Sequence, residues 1–115
     1  MKIKKQVLDE LLALAENAFP REVAGFLIGD PVSDFILAPG EFFEDSVLVY
    51  LDRMPIYASI SGTFHSHPGT PRPSKQDLNF FSKLGKHHLI IGYPVSIKNC
   101  YVFNSSGKMS KLEVL

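Results

Sequence analysis

The chain of 115 residues has one cysteine, no tryptophan and no net charge, with 12 Lys and Arg against 12 Asp and Glu. Each absence excludes something. Cys100 alone cannot close an internal disulfide, and the Cys-x-x-Cys ligand pair of a zinc deaminase is missing. Balanced charge removes the clustered Lys and Arg that phosphate neutralisation requires, so no nucleic-acid partner is expected. No apolar run approaches the ~20 residues of a membrane span, and no basic-led apolar leader opens the chain. A cytoplasmic protein without a membrane partner is therefore expected. The short basic cluster Lys2, Lys4 and Lys5 reads as a solvated start. A chain of this size buries roughly two-thirds of the surface its unfolded form exposes, which suits one domain over residues 1–115. No internal repeat, low-complexity tract or linker composition divides it.

What is present patterns into alternating elements. Val7, Leu8, Leu11, Leu12, Ala15, Ala18 and Phe19 recur at three- and four-residue steps and predict a helix from Lys5 to Ala18, ended by Pro20. The apolar run 23–28, closed by Gly29-Asp30-Pro31, predicts a buried strand. Further strands are expected at 34–38, stopped by Pro39-Gly40, and at 46–51, with an irregular connection over 52–59 where Pro55 interrupts any helix. Ile, Thr and Phe predict a strand over 60–67, and three prolines in 68–73 force a stiff loop. Ser74 is a good N-cap for a helix to Leu84, with Leu78, Phe81 and Leu84 inward and Gly85 as the stop. Strands at 88–93, 97–103 and 111–115 follow, the last after the Asn104-Ser105-Ser106-Gly107 turn. The mixture predicts an α+β fold with a central sheet and helices on its faces.

The segment that carries chemistry runs from Phe64 to Asp77. His65 and His67 stand at i and i+2 on a strand, so they share a face with side-chain origins roughly 6.5–7 Å apart and can converge on one ion. Pro68 ends the strand and leaves the pair at its mouth. Imidazole suits zinc, and a catalytic zinc takes three protein ligands and a water. Asp77, in the first turn of the next helix, is the nearest third ligand. Alone, each part has a structural alternative: His-Ser-His as a polar strand end, and Ser74-Lys75-Gln76-Asp77 as a capping box.

Taken together, the segment resembles the JAMM, or MPN-plus, zinc metalloprotease motif: a distant Glu, His-Ser/Thr-His-Pro, a loop, then Ser-x-x-Asp. Phe19-Pro20-Arg21-Glu22-Val23-Ala24-Gly25-Phe26-Leu27-Ile28-Gly29 is similar to that family's segment in which Glu precedes an apolar, Gly-containing strand. The resemblance implies the MPN fold, an α/β-sandwich-like architecture related to that of cytidine deaminases, with a central mixed sheet flanked by helices. It implies one Zn2+ held by His65, His67 and Asp77, with Glu22 as general base and Ser74 at the oxyanion. It also implies hydrolysis of amide or isopeptide bonds, with a ubiquitin-like or sulfur-carrier protein bearing a C-terminal Gly tail as partner. There are two departures. Pro68 to Pro73 are six residues where the family's count is about seven. The segment 52–59 is also brief, so the insertions that grip ubiquitin in eukaryotic relatives are missing and the chain is a near-minimal, prokaryotic-like version.

Other candidates have simpler readings. Glu41, Glu44 and Asp45 form a solvated acidic turn, and Glu10 and Glu16 lie on the polar helix face. His87 and His88 adjoin, point to opposite faces of a strand and cannot chelate together. Cys100 reads as a small half-buried side chain, with no basic neighbour in the sequence to activate it. A non-catalytic MPN-type interaction module and a zinc hydrolase of small amides are the alternative functions. Met54, Ile56 and Tyr57 form an apolar patch that a homodimer could use.

Overall fold

The apolar stripe of the first helix packs against one face of a sheet. In the computed structural model, which describes residues 1–37, 60–68 and 86–115, helix α1 spans Lys5–Ala18, and buries Val7, Leu8, Leu11 and Ala15. Its N-cap, Lys4, offers no side-chain cap; instead the Lys5 amide donates to the Leu115 carbonyl at 3.2 Å. At the other end the Arg21 amide closes on the Ala18 carbonyl at 2.8 Å, and Pro20 prevents continuation.

The described strands are β1 (Lys2–Ile3), β2 (Ala24–Ile28), β3 (Asp34–Leu37), β4 (Ile60–Ser66), β5 (His87–Ile91), β6 (Cys100–Phe103), β7 (Met109–Ser110) and β8 (Glu113–Val114). Six form one sheet in the order β3-β2-β4-β5-β6-β7, and β1 and β8 make a separate parallel pair. Within the large sheet β4 and β5 are parallel and every other neighbour is antiparallel, so the sheet is mixed as expected. Among the described residues α1 is the one α-helix, and none is long and apolar enough to cross a membrane.

Register divides the sheet into two faces. Gly25 and Leu27 of β2, Phe64 and Ser66 of β4, Leu89 and Ile91 of β5, and Cys100 and Val102 of β6 share one face. Leu27, Phe64, Leu89, Ile91 and Val102 on that face join the α1 stripe and Ile3 in one buried cluster. Phe64 is its centre, 1% exposed and set edge-on to Phe35 with ring centroids 5.7 Å apart. Phe64→Ala is expected to cost about 3–5 kcal/mol, a large part of the roughly 5–15 kcal/mol that holds a domain folded, read as a lowered urea midpoint. The other face carries Ala24, Phe26, Thr63, His65, His88, Ile90, Tyr101 and Phe103. Close approach of β4 and β5 at Gly62 is possible because a Cβ there would collide with the His87 carbonyl.

Several expectations are corrected. Lys2, Lys4 and Lys5 are exposed as expected, but Ile3 between them is fully buried and strand-paired with Val114, in a strand not expected from the sequence. Residues 97–103 are not one strand, because Ile97–Asn99 is a 3-10 turn. The Asn99 side-chain amide bonds the Pro94 carbonyl at 2.7 Å and its backbone amide bonds Ser96 at 3.1 Å, local bonds that compete with extended pairing. The 88–93 strand begins at His87 and ends at Ile91, and the Gly92 amide turns to Asn99 at 2.8 Å. The terminal strand shortens to β8, while β7 pairs with β6 across a turn in which Asn104 Oδ1 accepts from Ser106 and Lys108 and Gly107 takes φ 84°. The strand expected at 46–51, the connection 52–59, the patch at Met54, Ile56 and Tyr57, most of the proline loop and the 74–84 helix lie outside the described residues.

Candidate metal centre

The site is built at one edge of the sheet, where the carboxyl ends of parallel β4 and β5 meet the start of antiparallel β2. Ligands of open α/β sheets gather at such edges, because there the chain leaves the ladder and side chains project beyond it. His65 lies within β4 and His67 just past its end, on the same face, with ring centroids 6.0 Å apart and planes at 59°. His65 pairs across to Ala24 on one side and Ile90 on the other, while the His67 amide bonds the Ile91 carbonyl at 2.8 Å. Both backbones are therefore held by sheet bonds.

The two rings are half-buried. Nδ1 of His67 is shielded from water and has no hydrogen-bond partner among the described residues. A buried ring nitrogen left so is costly, and a cation accepting its lone pair removes the cost. Zinc fits this pair by donor chemistry and by placement. Among the described residues no three His, Cys, Asp or Glu side chains come together, and the expected third ligand, Asp77, lies outside them, as does Ser74.

Glu22 is exposed and stands two residues before β2. Its neighbour Val23 is tied to Ser66 twice: the Ser66 amide donates to the Val23 carbonyl at 2.9 Å, and the Val23 amide donates to Ser66 Oγ at 2.8 Å. Extending the register Ala24 to His65 by two residues sets Glu22 across from His67, on the histidine face. The backbone at Glu22 thus lies at the same end of the sheet as the histidine pair. The part played by Ser66 is not evident from spacing alone; the only trace in the sequence is a hydroxyl residue between the two histidines.

The remaining candidates behave structurally. His88 is fully buried, with Nδ1 2.8 Å from Thr63 Oγ1. His87 lies on the α1 face, opposite His88, as their adjacency requires. Burial, helped by the N-terminal ammonium and Lys86 and opposed by Asp30, lowers the His87 pKa. Cys100 is 9% exposed, its Sγ donates to the Ser96 carbonyl at 3.3 Å, and burial pushes the thiol up to about 11. At pH 8 about one thiol in a thousand is then ionised, so native Cys100 is expected to resist iodoacetamide and to alkylate rapidly once urea unfolds the chain, as mass spectrometry would show.

This arrangement has close relatives. Residues 4–104 match the family model described as prokaryotic homologs of the JAB domain. The chain belongs to that family. A probable metalloprotease of Haloferax volcanii is 32% identical over 127 residues, covering 98% of this chain and 78% of the relative. A JAB1/MPN domain protein from Archaeoglobus fulgidus superposes with a TM-score of 0.81 at 33% identity, over 100% of this chain and 99% of the other. A structure described as JAMM, a metalloprotease-like zinc site in the proteasome and signalosome, superposes with a TM-score of 0.78 at 31% identity, over 100% and 97%. At the level of its family, then, this JAB protein is a JAMM-type metalloprotease with the JAB/MPN fold.

Proposed function

We propose that this JAB protein is a zinc peptidase that hydrolyses amide or isopeptide bonds at the C-terminal glycine tail of a ubiquitin-like small modifier or sulfur-carrier protein. The observation that carries it is the histidine pair at the end of β4, with its backbone, and that of Val23 beside Glu22, fixed by sheet bonds. His65, His67 and Asp77 hold the ion. Zinc held there would lower the pKa of a coordinated water toward neutrality and would polarise the scissile carbonyl. Glu22 accepts the proton that water gives up during attack and passes it to the leaving amine. The Ser74 hydroxyl donates to the developing oxyanion. The resemblance to the JAMM family supports this substrate class, and an extended C-terminal tail is a form in which such a bond could be presented to the site.

The test is to incubate the wild type and Glu22→Gln with ubiquitin-like proteins fused through their C-terminal glycines to a reporter. Release by the wild type, abolished by chelation and by the substitution, is the expected result. Zinc-loaded protein that cleaves none of them, while hydrolysing small amides, would move the substrate to the small-amide class. Loaded protein inert toward both would leave an interaction module.

A further inference from the structure

We infer that Ser66 is a positioning residue for this reaction, acting through Val23 to set where Glu22 stands relative to the histidines. The inference rests on the proposed function and concerns a side chain that never meets substrate. Ser66 is fully buried, and strand alternation turns it to the α1 face, away from His65 and His67.

Ser66 and Val23 lie opposite one another one step beyond the Ala24 to His65 pair. In a regular antiparallel rung of this kind the Val23 amide would donate to the Ser66 carbonyl. Here it donates to Ser66 Oγ at 2.8 Å, while the Ser66 amide still reaches the Val23 carbonyl at 2.9 Å. A side chain therefore completes the last rung between β2 and β4. Glu22 is the next residue outward from this clamp on one strand, and His67 the next on the other. Beyond it β4 is held from its other side by the His67 amide on the Ile91 carbonyl at 2.8 Å. Loss of the Ser66 hydroxyl leaves the histidines their sheet bonds, while Val23, beside Glu22, keeps only the bond from the Ser66 amide to its carbonyl. One peptide separates the Glu22 Cα from the clamped residue, about 3.8 Å, so a shift at Val23 passes directly to the base. Misplacement of a reacting group by about 1 Å can cost a hundredfold in rate.

Ser66→Ala removes the acceptor and Ser66→Thr keeps it. The expected result for Ser66→Ala is kcat lowered roughly ten- to a hundredfold with KM within about twofold of the wild type and zinc content unchanged. Ser66→Thr should restore kcat. Hydrogen exchange at the Val23 amide should accelerate in the alanine variant and not in the threonine one, a readout independent of turnover. Adding Ser66→Ala to Glu22→Gln should cost little more than Glu22→Gln alone, because a clamp that acts through Glu22 has nothing left to place. Should the alanine variant fail to fold, Ser66→Cys, which keeps the shape with a weaker acceptor, takes its place in every arm. Wild-type kcat in the alanine variant, a loss that tracks loss of zinc, or an undiminished loss in the Glu22→Gln background would each overturn the inference while leaving the proposed function standing. A wild type with no Glu22-dependent hydrolysis removes the proposed function, and this inference with it.

Discussion

Glu22→Gln is expected to bind zinc at the wild-type stoichiometry, about one per chain, and to hydrolyse substrate some 10²–10⁴-fold more slowly. Glutamine preserves the size of the side chain and its ability to hydrogen-bond a water, but it cannot carry the proton from that water to the leaving amine. Glu22 is exposed and lies outside the buried cluster, so the fold does not depend on its charge. The melting temperature should therefore be unchanged while kcat collapses. Single-turnover hydrolysis, with zinc measured by mass spectrometry on the same sample, separates the two. A glutamine variant that keeps even a tenth of wild-type kcat would place the base elsewhere.

Replacing either histidine by alanine should have the opposite profile. In His65→Ala or His67→Ala, zinc should fall from about one per chain to traces, with an affinity loss exceeding the ~10–100-fold that removal of an outer partner costs. Activity should disappear with it. The reason lies in the geometry: the rings stand 6.0 Å apart at the mouth of β4, and the shielded Nδ1 of His67 has no hydrogen-bond partner among the described residues. His88→Ala is the control. It removes a buried partner of Thr63 and should lower stability while the folded protein still takes up zinc. Competition with a colorimetric chelator gives both affinities, and undiminished zinc in His65→Ala would contradict the assignment.

These two residue classes were legible in the sequence to different degrees. The histidine pair follows from the two-residue period of a strand and a proline that ends it, both local. The helix was legible to its end residues, because an apolar stripe and Pro20 leave little choice. Ile97–Asn99 was not, since the apolar content favours a strand and the outcome was decided by the Asn99 side chain finding the Pro94 carbonyl. Nor was β1: it is two residues long, too short for any period, and it exists because Ile3 buries against α1 and pairs with Val114, in the terminal strand, from the other end of the chain. The site was read as a list of residue types, with Glu22 included through resemblance to a family, and no local pattern could say which face of the sheet it would join.

By itself the sequence determined that this protein has no cysteine ligand set, that two histidines share one face of a strand end, and that an acid precedes an apolar strand. Each is a property of a few neighbouring residues and of fixed backbone periods. Only the tertiary structure decided that the residue beside the acid pairs with the residue between the histidines. Val23 and Ser66, 43 residues apart, meet because Gly25 and Leu27 pair with Phe64 and Gly62 and so lie on the face that covers α1. A slip of one residue would exchange the side chains of the two faces, and the same register, continued past Ala24, brings the Glu22 backbone beside that of His67.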